Sequence, residues 1–365
     1  QTTAGEAGVD PDLLDPETPV RREANTMPGW AGSCWYYLRY CSPSEDGRFA
    51  STEAERYWIG ENGVDLYVGG AEHAVLHLLY ARFWHKILFD LGHIESPEPF
   101  RKLFHQGLIL SHAFQRGDKS LVPVDEVEER GDGFVESATG ESVTQIVAKM
   151  SKSLRNVVNP DDIIKEFGAD CFRLYEMYMG PLDASKPWAT KDMVGLQRFL
   201  QRVWRLAIDE ETGELATTDD HNDTVEKQLH RTIAKVGEDV ERLAFNTAIA
   251  SMIEFVNTAS KEGGVNVDQL NRFTRVLAPF APHIAEEIWS RIGQSAPVSR
   301  APWPSFDQSM LSDDTIEVPV QVLGKLRSKI MVSADADAKI QQFIQGKTVR
   351  KVIVVPGRLV NIVAN

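Results

Sequence analysis

Cysteine is scarce in this 365-residue sequence: Cys34, Cys41 and Cys171 are an odd set without CxxC spacing. That excludes a disulfide framework and a cysteine-built zinc site, and it fits free thiols in a reducing, cytoplasmic compartment. Long apolar runs are also lacking. None approaches the roughly eighteen residues of a membrane-spanning helix, and the opening QTTAGEAGVDPDLLDPETPV is too polar for a signal peptide. Neither membrane insertion nor export is expected. Positive charge falls short of negative, with 39 Lys and Arg against 53 Asp and Glu and a net charge of −14, which argues against a uniformly cationic nucleic-acid binder. The first residue is Gln, not Met, in loop-like composition, so residue 1 need not be the start of the encoded protein.

What is present is a chain with 42% apolar residues, enough for two or three packed cores. Its charge is uneven: from Val318 to Asn365 eight Lys and Arg face only Asp335 and Asp337, a local excess of +6 that suits a polyanion or a solvated basic face. Four regions separate by pattern. Residues 1–25 are an entry loop. In 26–190, strand-like runs such as VDLYVGG and KLFHQGLIL alternate with the helical AEHAVLHLLYARFWHKILFDLG, the βα alternation of a parallel sheet. Within it, about 111–147 is rich in Gly, acids and β-branched residues, a small hairpin-rich insertion. Residues 191–305 show helical periodicity, as in Leu196, Phe199, Leu200, Val203, Trp204 and Ala207, and predict a helix bundle. A Pro-rich linker then leads to a small α+β module over 312–365, expected as strand, strand, helix, strand, strand.

Three stretches carry candidate chemistry. In VAKMSKSLRNVVNP, Lys149 and Lys152 sit among small polar residues on an expected exposed loop, suited to reaching a phosphate chain. Behind the loop, Asn159 is a predicted N-cap, Pro160 fits the first helical turn, Gly168 ends the helix, and Asp170 caps the next one. In VDLYVGGAEHAVLHLL a strand enters Gly69 and Gly70 and then a helix, a corner where a ligand can approach the backbone and where Glu72 can accept from ribose hydroxyls. His73 and His77 are four apart, the spacing of a metal pair on one helical face. No third ligand is evident and the general-base Glu expected between such a pair is absent, so packed, hydrogen-bonded histidines are the favoured explanation of the spacing. In NTMPGWAGSCWYYLRY, aromatics crowd small residues, which builds either a core or an apolar slot beside Trp30.

Together, and in this order, these stretches resemble the second half of the bacterial-type leucyl-tRNA synthetases. KMSKS at 149–153 is similar to the signature loop of class I aminoacyl-tRNA synthetases, and GGAEHAVLHLLYARFWHK is similar to the leucine enzymes. GLQRFLQRVWRL, ERLAFNTAIASMIEFVN, LAPFAPHIAEEIW and VPVQVLGKLRSKI resemble that family's anticodon-side bundle and C-terminal tRNA-binding domain, so the likeness runs from about residue 20 to the end. The fold it implies is multidomain α/β plus α: the second half of a Rossmann-like parallel sheet with the KMSKS loop, an anticodon-binding helix bundle, and a small α+β C-terminal domain. The family's HIGH-type histidine pair and editing insertion are not found in this sequence, since GHIE at 92–95 follows a helix. A portion inactive on its own is therefore expected, with the missing N-terminal half as partner; a non-catalytic tRNA-binding module or a subunit of a split synthetase is the alternative.

The resemblance further implies leucine, tRNA-Leu and ATP with Mg2+ as partners, and no zinc. By resemblance Lys149 and Lys152 stabilise the phosphates in the transition state, Lys152 most directly, with Met150 and Ser151 beside them. Gly69, Gly70 and Glu72 hold the ribose, His73 lies by the adenylate, and Trp30, Ser33 and Tyr36 line the leucine side. Lys325, Arg327, Lys329, Arg350 and Lys351 are the candidates for tRNA phosphate contact.

Overall fold

The periodicities of the sequence are expressed in two separately packed units, residues 1–109 with 183–185 and residues 110–182 with 186–365, in a computed structural model. It describes residues 2–21, 23–27 and 29–311 in full, and 315–322, 325–333, 349–355 and 359–364 by their backbone.

In the first unit β1 (Thr2–Thr3) pairs antiparallel with β2 (Pro19–Val20). The helices α1 (Trp30–Ser33), α2 (Tyr36–Cys41) and α3 (Thr52–Trp58) follow. Ser51 starts α3 by accepting from the Ala54 N–H at 3.2 Å. Next come β3 (Tyr67–Val68), α4 (Leu79–Asp90) and β4 (Leu103–Phe104). β3 and β4 pair in parallel, Tyr67 opposite Leu103, as does the isolated bridge Val64–Phe100. The parallel pairing read from the sequence is thus present, but only two residues long per strand. KLFHQGLIL, expected as one strand, leaves this ladder after Phe104. Residues 105–108 turn toward 183–185, where the Leu108 N–H donates to Ser185 Oγ at 3.0 Å and a Cβ on Gly107 would collide with the Ala184 backbone.

The core of this unit is Tyr37, Leu38, Ile59, Leu88 and Ile94, each side chain contributing about 1.5–3 kcal/mol by leaving water. His85, on the buried face of α4, is fully enclosed. Its Nε2 meets Ser96 O and Oγ at 2.8 Å and its Nδ1 meets the Tyr37 hydroxyl at 2.6 Å. Burial pushes its pKa down to about 4, so the ring is neutral.

The second unit begins with an antiparallel sheet of β5 (Ile109–Gln115), β6 (Leu121–Val122), β7 (Val127–Arg130), β8 (Gly133–Glu136), β9 (Ser142–Lys149) and β10 (Lys186–Pro187), in the order β10-β5-β9-β8-β7 with β6 on β5. Phe114, Val122 and Val143 form its small core, and Arg116 clamps Glu136 with two bonds of 3.0 and 2.5 Å.

Helices α5 (Pro160–Phe167) and α6 (Ala169–Tyr178) meet at Gly168, whose φ of +86° suits glycine. Asn159 caps α5 as read, accepting from the Asp161 N–H at 3.2 Å. Asp170 does not cap its own helix. It lies one residue inside α6, and its carboxylate instead accepts from the His283 and Ile284 N–H groups at 3.2 and 2.8 Å, tying α6 to a later helix start.

That helix closes a bundle of α7 (Met193–Ala207), α8 (Asp223–Glu241), α9 (Phe245–Lys261), α10 (Val267–Leu277) and α11 (Pro282–Arg291). Asn222 caps α8, and Asn266 with Gln269 forms a capping box on α10. Phe199, Phe255, Phe273 and Phe280 are fully buried among Leu and Ile side chains. One carboxylate, Glu226, is drawn into this apolar setting. Burial opposes its ionisation, but Arg272, Gln269 and His230 bond it, and its pKa falls to about 2.

Beyond the bundle, β11 (Thr315–Val322) pairs antiparallel with β12 (Lys325–Ser333), and β13 (Val349–Val355) with β14 (Leu359–Ala364). The four expected strands are there; the expected helix at 337–345 lies outside the described residues. No helix among the described residues is long and apolar enough to cross a membrane.

Candidate functional site

In the first unit a cavity of about 440 Å³ lies where β3 ends in Gly69 and Gly70. Trp30, Ser33, Tyr36, Gly69, Gly70, Glu72 and His73, all singled out from the sequence, line it together. The short helix α1 and the head of α2 present Trp30, Ser33 and Tyr36. Ser33 Oγ is tied back to the Trp30 carbonyl at 3.3 Å. The glycine corner opens differently from expectation: a Cβ on Gly70 would run into the carboxylate of Glu72, so this glycine makes room for the site's own acidic group, while Gly69 faces open space.

The chain after Gly70 is not an α-helix at first. Ala71–His73 is a 3-10 turn and Ala74–Leu78 a π-helical turn with i→i+5 bonding, before α4 begins. The four-residue spacing of His73 and His77 therefore does not place them as an α-helical pair. His73 is exposed, whereas His77 is half-buried with its Nε2 2.6 Å from the Tyr67 hydroxyl, which is itself 2.6 Å from the Tyr36 hydroxyl. Burial, with the charge of His73 adding to it, lowers the His77 pKa. Tyr36, Tyr67 and His77 thus form one hydrogen-bonded chain, whose direction is set by which nitrogen of His77 carries the proton. Burial raises the Tyr67 pKa, so its proton stays in place. Among the described residues no cluster of three or more His, Cys, Asp or Glu is placed for a metal ion.

Tyr67, His77, Leu103, His105 and Gln106 also line the cavity and were not assigned to it from the sequence. His105 Nδ1 donates to the Gly69 carbonyl at 2.7 Å. A histidine directly after a strand that pairs with the glycine corner was the available signal. The pairing itself joins residues 36 apart in sequence, which no local pattern reports.

The lysine segment lies in the second unit. Lys149 is not on a loop: it is the last residue of β9, opposite Leu110, with an exposed side chain. The strand's pairing runs one residue into the motif because Leu110 still offers a partner. Met150 and Ser151 are half-buried, Lys152 is exposed, and residues 152–155 form a turn that Arg155 closes at φ +49°.

What holds the turn is Asn156, a buried residue that sequence reading passed over. Its Oδ1 accepts from the Ser151 N–H at 2.9 Å, and its Nδ2 donates to the His112 carbonyl on β5 at 3.2 Å. Ser151 Oγ accepts from the Leu154 N–H at 3.2 Å, and Arg155 pairs with Asp125 at 2.5 Å. Lys152 is thus an exposed cation on a turn whose base is fastened to the sheet.

Of the basic residues expected to meet RNA, Lys325, Arg327 and Lys329 lie on β12 and Arg350 and Lys351 on β13; their side chains are outside what is described. Arg327 and Arg350 fall where the strand registers shift.

Residues 222–342 match the family described as the anticodon-binding domain of tRNA ligase, and residues 133–185 match tRNA synthetases class I (I, L, M and V). The leucine–tRNA ligase of Corynebacterium glutamicum is 51% identical over 379 aligned residues, covering 97% of this chain and 40% of that protein. That of Mycobacterium leprae is 50% identical, with 97% and 39% covered. The chain therefore spans about two-fifths of the length of these relatives, and the matched part is their C-terminal portion. Among solved structures, the ternary complex of Agrobacterium radiobacter K84 agnB2 LeuRS with tRNA and LeuAMS is similar at a TM-score of 0.68 and 29% identity, over 94% of this chain and 43% of that one.

Proposed function

From the premise that this chain is homologous to the C-terminal portion of leucine–tRNA ligases, we propose that it supplies the KMSKS segment, one side of the amino-acid and ribose site, and the tRNA-binding part of such an enzyme. The observation that carries this reading is the single cavity shared by Trp30, Ser33, Tyr36, Gly69, Gly70, Glu72 and His73. Its aromatic wall suits an isobutyl side chain, and Glu72, beside Gly70, is an acceptor for ribose hydroxyls. The sheet around β3 and β4 is the second half of a Rossmann-like layer, completed by an N-terminal half that carries the histidine-pair motif. The enzyme acts in the cytoplasm, and ATP enters as its Mg2+ complex.

The chemistry assigned to these groups is adenylate formation. A carboxylate oxygen of leucine attacks the α-phosphorus of ATP, the bond to the bridging oxygen breaks, and pyrophosphate leaves with the electron pair. Negative charge grows on the phosphates as this happens. Lys152, exposed on a turn anchored through Asn156, stabilises that charge more in the transition state than in the ground state, which raises the rate rather than the affinity. Lys149, at the end of β9, adds a second cation. A ribose hydroxyl of the terminal adenosine of tRNA-Leu then attacks the leucyl carbonyl and AMP leaves; the helix bundle and the strands carrying Lys325, Arg327, Lys329, Arg350 and Lys351 hold that tRNA.

The test joins this chain to the upstream portion of a relative's leucine–tRNA ligase and follows ATP–pyrophosphate exchange. The joined protein is expected to exchange with leucine and not with alanine, and the chain alone to remain inert. Exchange of the same size by the chain alone, or exchange independent of leucine, refutes the proposal.

A further inference from the structure

A second cavity, of about 380 Å³, opens beside α10 and α11, where the chain returns through residues 294–302. It shares no residue with the cavity of the first unit. Trp289 and Pro297 give it an apolar wall, and Arg275, Arg300, Asn271 and Ser295 bring polar groups to it. The wall is fixed, because Trp289 is buried and its indole N–H donates to the Ala296 carbonyl at 2.7 Å.

The arginines of this cavity are incompletely partnered. Arg275 donates through one terminal nitrogen to the Pro302 carbonyl at 3.3 Å, but its Nε is buried and has no hydrogen-bond partner among the described residues. Arg272, one turn earlier, takes both nearby acids: it lies 2.8 Å from Glu226 and 2.6 Å from Asp268. Burial lowers the Arg275 pKa and outweighs the charge of Asp268, which raises it; the charge of Arg272 lowers it by a smaller amount. Neither Arg275 nor Arg300 has a carboxylate within ion-pair distance among the described residues. A buried guanidinium nitrogen left unmatched is costly, and a bound anion is one acceptor that would satisfy it. The guanidinium fork matches tetrahedral oxyanions, two cations match a dianion, and an amide and a hydroxyl add donors. The volume exceeds that of a bare anion, and the Trp289 and Pro297 wall offers the remaining room to an apolar ring.

We propose that this cavity is a phosphate-binding site, with Arg275 and Arg300 as its cationic partners and space for the nucleoside that carries the phosphate. The inference does not rest on the ligase reading, and it concerns a site separate from the ATP site assigned above.

Indole N–H resonances of the whole chain test it, with the Trp289 signal identified by its loss in Trp289→Phe. Titration with 5′-AMP is expected to move that signal saturably, and titration with adenosine is not. Arg275→Gln and Arg300→Gln are each expected to weaken the 5′-AMP response about tenfold, the equivalent of one lost charged hydrogen bond. Arg300 is exposed, so its variant reports even where replacing Arg275 disturbs the fold. Inorganic phosphate binding as tightly as 5′-AMP upholds the site with the free anion as its source; tighter binding of a 5′-phosphorylated RNA trinucleotide upholds it with an RNA source. A stationary Trp289 signal, an equal response to adenosine, or unchanged affinity in Arg300→Gln overturns the proposal.

Discussion

Asn156→Ala isolates the fastening of the lysine turn from the lysines themselves. The substitution removes an acceptor for the Ser151 N–H at 2.9 Å and a donor to the His112 carbonyl at 3.2 Å, at a position only 5% exposed. Each such bond contributes about 1 kcal/mol net, so the turn loses about 2 kcal/mol against its open form, which corresponds to roughly thirtyfold faster local opening. The remaining ties, the Ser151 bond to the Leu154 N–H and the Arg155–Asp125 pair, are exposed or half-exposed and compensate little. Hydrogen–deuterium exchange by mass spectrometry reads this directly. Peptides over residues 150–158 are expected to exchange faster by that factor, while peptides from α8 and α9 keep the wild-type rate. Unchanged exchange over 150–158 would refute the role given to Asn156, and equal acceleration in α8 and α9 would show a global effect instead of a local one.

Two further outcomes follow from the same geometry. The folded pKa of His85, about 4, lies below its ordinary 6.5, so the unfolded chain binds the proton more readily in between. Stability is therefore fully present above pH 6.5 and declines by about 3 kcal/mol as pH falls toward 4. Urea midpoints across that window should show the decline in the wild type and lose most of it in His85→Gln; a flat wild-type profile contradicts the assignment. In the joined enzyme, Gly70→Ala is expected to push the Glu72 carboxylate aside, raising KM for ATP about tenfold with little change in kcat or thermal midpoint, and an unaltered KM argues against a ribose role for Glu72.

Local chemistry was the legible part of this chain. Asn159, Pro160 and Gly168 act within one or two turns, and the structure places them as cap, first-turn residue and helix end. The stripe Leu196, Phe199, Val203 and Ala207 is buried on one face of α7, because apolar spacing alone determines which face turns inward. Asp170 was misassigned because its capping partners, His283 and Ile284, are more than a hundred residues away. The same distance effect hid Asn156, whose second bond goes to β5, and Tyr67 and His105, whose positions depend on the pairing of β3 with β4. The π-helical turn at 74–78 was invisible for a different reason: its sequence keeps an ordinary helical pattern, and only the backbone bonding reveals the altered winding.

The central claim is that Lys152 serves the phosphates in the chemical step and not the binding of RNA. Comparing Lys152→Ala with the wild type in the joined enzyme, by leucine-dependent adenylate formation in a single turnover alongside tRNA-Leu affinity, tests it most directly. The account predicts about a hundredfold slower adenylate formation with tRNA affinity held within about twofold. Equal losses in the two measurements, or an adenylate rate that does not change, would contradict it.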